Sequence, residues 1–291
     1  MSAALKIISG GVQTTVQDPG RAGLRHMGVP AGGAADPRAL MRANDCMGNQ
    51  AGAAALEFTL TGPHIRFSGD TAFAVTGAVC DIMLDGRRVA PYQGHVAKAG
   101  SVLEVGAVMH GARGYISFDR EIMCRAFGGS KSTHIYSALG GHEGRALIKG
   151  DGIALGPRSG AAISSAEPLR ITTPHVLRIL PGPEYDRLTD KAKTLLTMAR
   201  FSASPQTDRM GARLIGPKLG LRLRQHMISS ALLPGTLQLP AGGQIVLSLV
   251  DSHCTGGYVR AARVITRDLP LTGQIRPGAP IWFRWATEAD L

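Results

Sequence analysis

A chain of 291 residues has room for two domains of ordinary size, and with 44% hydrophobic against 18% charged residues it can bury a core and is not a disordered polymer. Its 38 glycines and low aromatic content (5%) suit many short strands joined by tight turns better than a helical bundle. The formal charge of 32 − 21 = +11 favours anionic ligands or acidic partner surfaces, but the basic residues are scattered and few aromatic rings are available to stack on bases, which argues against nucleic acid.

The N-terminal stretch lacks a basic region followed by a long apolar one, so it does not read as a signal peptide, and no apolar run approaches the roughly 20 residues needed to span a bilayer. Cys46, Cys80, Cys124 and Cys254 form no CxxC pair, and no histidine cluster has metal-ligand spacing, so no metal site is expected. Four independent thiols fit a reducing, cytoplasmic setting.

In chain order, Asp36-Pro37 reads as a helix start, with Asp36 able to cap free N–H groups and Pro37 suited to the first helical position. Leu40, Ala43 and Met47 fall on one face, and Gly48-Asn49 is a stop, so a helix is expected over 37–47. From Ala54 to about Gly156 the pattern is strands, among them the short runs Ala72–Thr76 and Cys80–Leu84. Asp85-Gly86 is a hairpin turn signal. A glycine turn followed by an apolar strand recurs at 99–103, 149–153 and 276–281. Residues 157–170, rich in Ser, Ala, Gly and Pro, read as a linker. A strand over Val176–Leu180 and a helix over 183–198 follow, and then strands over Ile245–Val250, Val259–Ile265 and Ile281–Trp285. The expected fold is mostly β: two β-barrel-like domains, 1–165 and 166–291, with a few short helices.

Four segments join glycine-dependent backbone to polar side chains: Thr14–Arg21, Gly28–Asp36, Thr207–Gly211 and Asp251–Tyr258. Glycines let backbone approach a ligand and offer N–H groups to an anion, while neighbouring Asp, Arg, Gln and Thr supply charge, donors and acceptors. The alternative is ordinary loops whose acids and arginines pair or cap turns.

These segments carry a resemblance. Thr14–Arg21, Arg25-His26-Met27-Gly28-Val29-Pro30, Leu56-Glu57-Phe58-Thr59, Gly128-Gly129-Ser130-Lys131-Ser132-Thr133, Ser204–Gly211, Pro234–Pro240 and Thr255-Gly256-Gly257-Tyr258 resemble, in order, the allophanate hydrolase subunit 2 family. That family includes the KipA proteins, the C subunit of bacterial 5-oxoprolinase and part of the carboxyltransferase domain of urea carboxylase. The resemblance implies cyclophilin-like β-barrels and a KipI-like partner (allophanate hydrolase subunit 1), with a LamB/YcsF-like third subunit and ATP in the oxoprolinase case. Two other roles stay open: a carboxyltransferase subunit using biotin carried on a separate chain, and a non-catalytic module that binds a KipI-like inhibitor. The chain departs from the family at His253, Cys254 and Arg260, which stand where Gln, Thr and Lys are usual, and at Asp119-Arg120-Glu121, which replaces a Gly-Gly-Ile stretch.

The catalytic candidates are Asp208, Arg209, Asp251 and Tyr258, and the binding candidates are Gln17, Asp18, Arg21, Gly32, Gly33, Asp36, Thr255, Gly256, Gly257 and Arg260. Asp208 and Arg209 hold a substrate or form an internal ion pair. Asp251, at the end of an apolar run, serves the site or caps a turn. Tyr258 donates to a carbonyl or packs. His253 and Cys254 are not expected to act as a dyad, because adjacent strand residues face opposite ways. Gly128–Ser132 lacks the full spacing of a phosphate loop, and ATP, if used, is expected at a site shared with a partner subunit.

Overall fold

The computed structural model describes residues 3–173, 175–222 and 227–290. Strands take up 41% of the chain against 14% helix, so the fold is mostly β. The chain divides into two compact units: Met1–Ala22 with Gly32–Ile171, and Gly23–Ala31 with Thr172–Leu291. The division lies after the linker-like segment 157–170 rather than at 165/166. Backbone bonds explain why: Ser164 N–H donates to Cys46, Gly94 N–H to Ser164 and Ala166 N–H to Tyr92, each at 2.9 Å, so this segment is stitched into the first unit. The short segment 23–31 belongs with the second unit instead of the first.

The first unit is a half-barrel. Its sheet runs Gln13–Gln17, Ala55–Thr59, Val102–Phe118, His64–Phe67, Ala4–Ser9, Gly152–Arg158, Arg120–Met123, with Thr71–Leu84 also paired to Val102–Phe118. The two short runs expected over 72–84 form one strand, broken only by register shifts between Gly77 and Ile82. Gly77 makes the first shift possible: its φ is +89°, and a Cβ there would lie 2.6 Å from the Arg113 carbonyl oxygen. Asp85 and Gly86, both at positive φ, close the expected hairpin between the paired residues Leu84 and Arg87.

Helix Pro37–Met47 has the expected bounds and buries Leu40, Ala43 and Met47 against the sheet, stopping at left-handed Gly48. Asp36, however, makes no side-chain cap bond. Its carboxylate takes the Arg38 guanidinium at 3.0 and 3.1 Å.

The second unit is a closed seven-stranded barrel in the order His175–Pro181, Val259–Val264, Thr236–Leu239, Val246–Ser248, Gly211–Ile215, Phe201–Ala203, Pro280–Trp285. Period-2 alternation divides its two faces. The in-register row Ala212, Leu247, Leu237 and Ala262 is fully buried and fills the barrel. The adjacent row Arg213, Val246, Gln238 and Arg260 lies on the outer face. The helix expected over 183–198 is shorter. A 3-10 turn at Tyr185–Arg187 precedes it, and the helix proper, Asp190–Met198, starts where Thr189 Oγ1 accepts the Ala192 N–H.

The three glycine turns lead into strands starting at Val102, Gly152 and Pro280. Gly100, Gly150 and Gly278 all have positive φ and open space around the Cβ position, so backbone conformation rather than crowding demands glycine there. Among the described residues, no helix is long and apolar enough to cross a membrane, and no grouping of three or more His, Cys, Asp or Glu side chains is placed to hold a metal. The four cysteines are free thiols. Burial pushes the Cys80 thiol up to about 12.

Candidate functional site

On the outside of the barrel, the loop 251–258 and the strand Gly211–Ile215 enclose a cleft of about 420 Å³. Five of the candidates line it: Asp208, Thr255, Gly256, Gly257 and Tyr258. Asp208 Oδ1 accepts the N–H groups of Met210 (2.7 Å) and Gly211 (3.0 Å), a turn that presents the carboxyl group at the rim. Tyr258 is half-exposed, with its ring on the wall. A Cβ on Gly256 would lie 2.9 Å from Gln238 Oε1, so the glycine lets this amide oxygen come close to the loop backbone.

Sequence reasoning missed Gln206, Arg213, Gln238, Ser248 and Ser252, and treated His253 as incidental, yet all six line the cleft. Gln238 Nε2 donates to Ser248 Oγ at 2.9 Å, which fixes the amide and leaves its carbonyl toward Gly256. Ser252 is only 3% exposed, and among the described residues its hydroxyl has no hydrogen-bond partner. Arg213 was detectable: two residues beyond Gly211, it takes the outward position of the strand. Cys254 is half-buried and does not line the cleft that His253 lines. Arg25 ties segment 23–31 to this rim through the carbonyls of Leu232 and His253.

The remaining second-unit candidates lie elsewhere. Arg209 and Asp251 form a buried bidentate ion pair at 2.7 and 2.9 Å, each side chain 4% exposed, reinforced by the Asp251 N–H to the Arg209 carbonyl. Arg209 thus gives its Nε and Nη2 donors to Asp251. This clamp joins the turn at 208–211 to the start of loop 251–258, so both residues act behind the cleft wall. Arg260 grips Glu184 through Nε (2.9 Å) and Nη2 (2.6 Å), and these bonds hold the Glu184 carboxyl below its usual range.

In the first unit the candidates form a buried polar network. Gln17 donates to Thr15 Oγ1 and the Thr133 carbonyl, both at 3.0 Å, and accepts from Ser132 Oγ at 2.6 Å. Asp18 accepts from Gly20 N–H (2.8 Å), Ser130 Oγ (2.6 Å) and Lys131 N–H (2.6 Å). Arg21 reaches the carbonyls of Phe127 and Ser132, and Gly33 N–H donates to Ser132 Oγ at 2.7 Å. Gly32 and Gly33 both need positive φ, and a Cβ on Gly33 would strike the Pro19 carbonyl. Asp36 is fully buried. Its N–H donates to the Tyr115 hydroxyl (2.8 Å), which in turn donates to Glu57 (2.7 Å). Burial and the Glu57 charge push the Tyr115 phenol well above its ordinary range. Asp18 lines a hollow of about 710 Å³ shared with Arg120, Lys131 and Arg158.

In the glycine loop at 128–132, three N–H groups and the lysine are already engaged. Ser130 N–H is bonded to Phe127, Lys131 N–H to Asp18 and Ser132 N–H to Ser130 Oγ, while Lys131 Nζ holds Glu121 and the Ile122 carbonyl.

A half-barrel and a closed barrel, the latter with a polar cleft on its outer face, define a β protein of the carboxyltransferase type. Residues 27–285 match the family described as carboxyltransferase domain, subdomain A and B, and the chain belongs to that family. It is 37% identical to the 5-oxoprolinase C subunit of Escherichia coli strain K12, over 96% of this chain and 90% of that protein. It is 34% identical to the 5-oxoprolinase C subunit of Haemophilus influenzae, over 93% and 87%. In structure it is similar to the urea carboxylase of Kluyveromyces lactis, with a TM-score of 0.90 at 28% identity, covering 98% of this chain and 27% of that one.

Proposed function

We propose that this chain is one component of an ATP-dependent, amide- or lactam-hydrolysing complex of 5-oxoprolinase type, working with a KipI-like partner and a LamB/YcsF-like third subunit. The observation that carries this reading is the 37% identity to the E. coli 5-oxoprolinase C subunit over nearly the full length of both proteins. The second-unit cleft suits a small amide. Its Gln206 and Gln238 amides and its Thr255 and Tyr258 hydroxyls can meet a carbonyl oxygen and an N–H at once, and donors fixed by the barrel need no reorganisation as charge builds on the carbonyl. With the N–H groups of Ser130, Lys131 and Ser132 already bonded, ATP in this reading occupies a site completed by a partner protein. Co-expression with the KipI-like and LamB/YcsF-like proteins is expected to give 5-oxoproline-dependent ATP hydrolysis. A complete, stably assembled complex without that turnover overturns the reading.

A second reading is a carboxyltransferase subunit that receives a carboxyl group from biotin on a separate chain. The family description and the likeness to the K. lactis urea carboxylase favour it. Carboxybiotin-dependent carboxylation of urea by the assembled complex would select it over the first.

A further inference from the structure

Three side chains that line the second-unit cleft are at least nine-tenths buried and do not ionise: Gln238 (9% exposed), Ser248 (1%) and Ser252 (3%). Each keeps hydrogen-bonding capacity that the fold leaves unused. Ser252 is the extreme case, since among the described residues its hydroxyl meets neither a donor nor an acceptor. Gln238 Nε2 donates to Ser248 Oγ at 2.9 Å, which holds the amide in place. Among the described residues no donor reaches Gln238 Oε1, and no acceptor takes the Ser248 hydroxyl proton.

A polar group left unbonded in a buried position destabilises the fold, and most buried polar groups are therefore satisfied. Three groups with unused capacity along one cleft of about 420 Å³ have a common explanation if a ligand completes them. Gly256 points the same way. A Cβ there would lie 2.9 Å from Gln238 Oε1, and the position has no positive φ, so glycine supplies room at this oxygen rather than a special backbone conformation. The unused set is one acceptor, Gln238 Oε1, together with two hydroxyl donors, Ser248 and Ser252. An amide that carries its N–H and C=O on one edge is the complement: a donor for Oε1 and an acceptor for the hydroxyls. No charge enters this match.

We infer that Gln238, Ser248 and Ser252 are the specificity-determining residues of the cleft, with Gln238 Oε1 accepting the N–H of an uncharged cis amide and the serine hydroxyls donating to its carbonyl oxygen. The assignment rests on the reading of this cleft as a small-amide site, and it names the groups that tell an amide with a free N–H from one without. A ligand lacking the N–H leaves Oε1 covered and unbonded, which is how a hydrogen-bonding site rejects a close analogue. Since no ionised group takes part in these contacts, binding of an uncharged amide is expected to be insensitive to added salt.

The test is NMR titration of the purified full chain, without ATP or partners, with two probes: 2-pyrrolidone, a bare lactam, and N-methyl-2-pyrrolidone, which keeps the carbonyl and lacks the N–H. The wild-type chain is expected to bind 2-pyrrolidone about tenfold more tightly, the effect of one hydrogen bond. Gln238→Met is expected to bring the two probes within about twofold of each other, and Gly256→Ala, which crowds Oε1 and leaves its chemistry intact, to do the same. Ser252→Ala is expected to weaken both probes by about tenfold and to keep their ratio. Because the Ser252 hydroxyl has no partner among the described residues, Ser252→Ala is also expected not to lower the melting temperature, which separates lost recognition from lost structure. The inference is overturned if the wild-type chain shows no saturable binding of 2-pyrrolidone, if it binds both probes equally, if Gln238→Met and Gly256→Ala keep the preference, or if Ser252→Ala lowers the melting temperature as it weakens binding. Binding as expected, in a chain whose assembled complex does not turn over 5-oxoproline, supports the assignment and overturns only the reaction. Turnover by a complex whose chain fails these binding tests overturns the assignment alone.

Discussion

Asp251→Ala should destabilise the protein far more than a loop substitution would. Its carboxylate makes two short bonds, at 2.7 and 2.9 Å, to a guanidinium whose side chain is only 4% exposed. Deleting one member of a buried ion pair takes a bidentate partner from the other buried charge, which costs about 3–5 kcal/mol. At about 2–4 °C of melting temperature per kcal/mol, the expected loss is roughly 10 °C. Asp251→Asn keeps the shape and one acceptor and should lose less. The double variant Arg209→Met/Asp251→Leu removes both charges and should recover most of the loss, giving a coupling energy of about 2 kcal/mol or more in a double-mutant cycle. Denaturant and thermal unfolding of the four proteins measure this. If Asp251→Ala costs less than about 1 kcal/mol yet abolishes turnover in the assembled complex, Asp251 belongs to the reaction and the clamp reasoning fails.

Other substitutions probe the scaffold. Tyr115→Phe strips the hydroxyl that links the Asp36 N–H to Glu57 in the core of the first unit, and should cost about 1–3 kcal/mol by denaturant titration. Asp151, gripped by Arg145, has its carboxyl held down to about 2 against an ordinary 3.8. A depressed folded-state value stabilises above the unfolded one, so this contribution is present above pH 4 and is lost as the pH falls toward 2; Asp151→Asn should flatten melting temperature against pH in that window. Gly150→Ala, at φ +97° in open space, should cost about 1–2 kcal/mol from backbone strain alone. Gly114→Ala puts a Cβ 2.2 Å from the Phe58 ring and should cost more, with accompanying loss of near-ultraviolet dichroism.

The fold was legible where local chemistry decides it. Pro37 at the first turn and Gly48 at the last bracket a helix whose bounds came out as expected, and Asp85-Gly86 fixed a hairpin because few other residues accept two successive positive φ angles. Long-range contacts decided the rest. Nothing local shows that 157–170 is held by Cys46, Tyr92 and Gly94, residues more than sixty positions away, so a segment with linker composition became part of a packed unit. The helix expected from Pro183 began late because Thr189 caps it, and the apolar periodicity before that point belongs to a separate 3-10 turn.

The site was half legible for a related reason. Composition reveals which loops are glycine-rich and polar, and five candidates from two such loops do line the cleft. It does not reveal which charge cancels which. Asp208 accepts the backbone N–H groups of Met210 and Gly211, and Arg209 also reaches Asp251, 42 residues on, a partner that no local motif announces. Strand register makes a second division that sequence order hides: Arg213, Gln238 and Arg260 are one row of side chains, though the first and last are far apart in the chain. In that row Glu184 neutralises Arg260, the candidate chosen from sequence, while Arg213, which was not chosen, lines the cleft. What separates a binding arginine from a structural one here is therefore not its residue type or its glycine neighbours. It is whether the fold has already supplied its carboxylate, and those carboxylates, Glu184 and Asp251, come from loops distant in sequence rather than from any local motif.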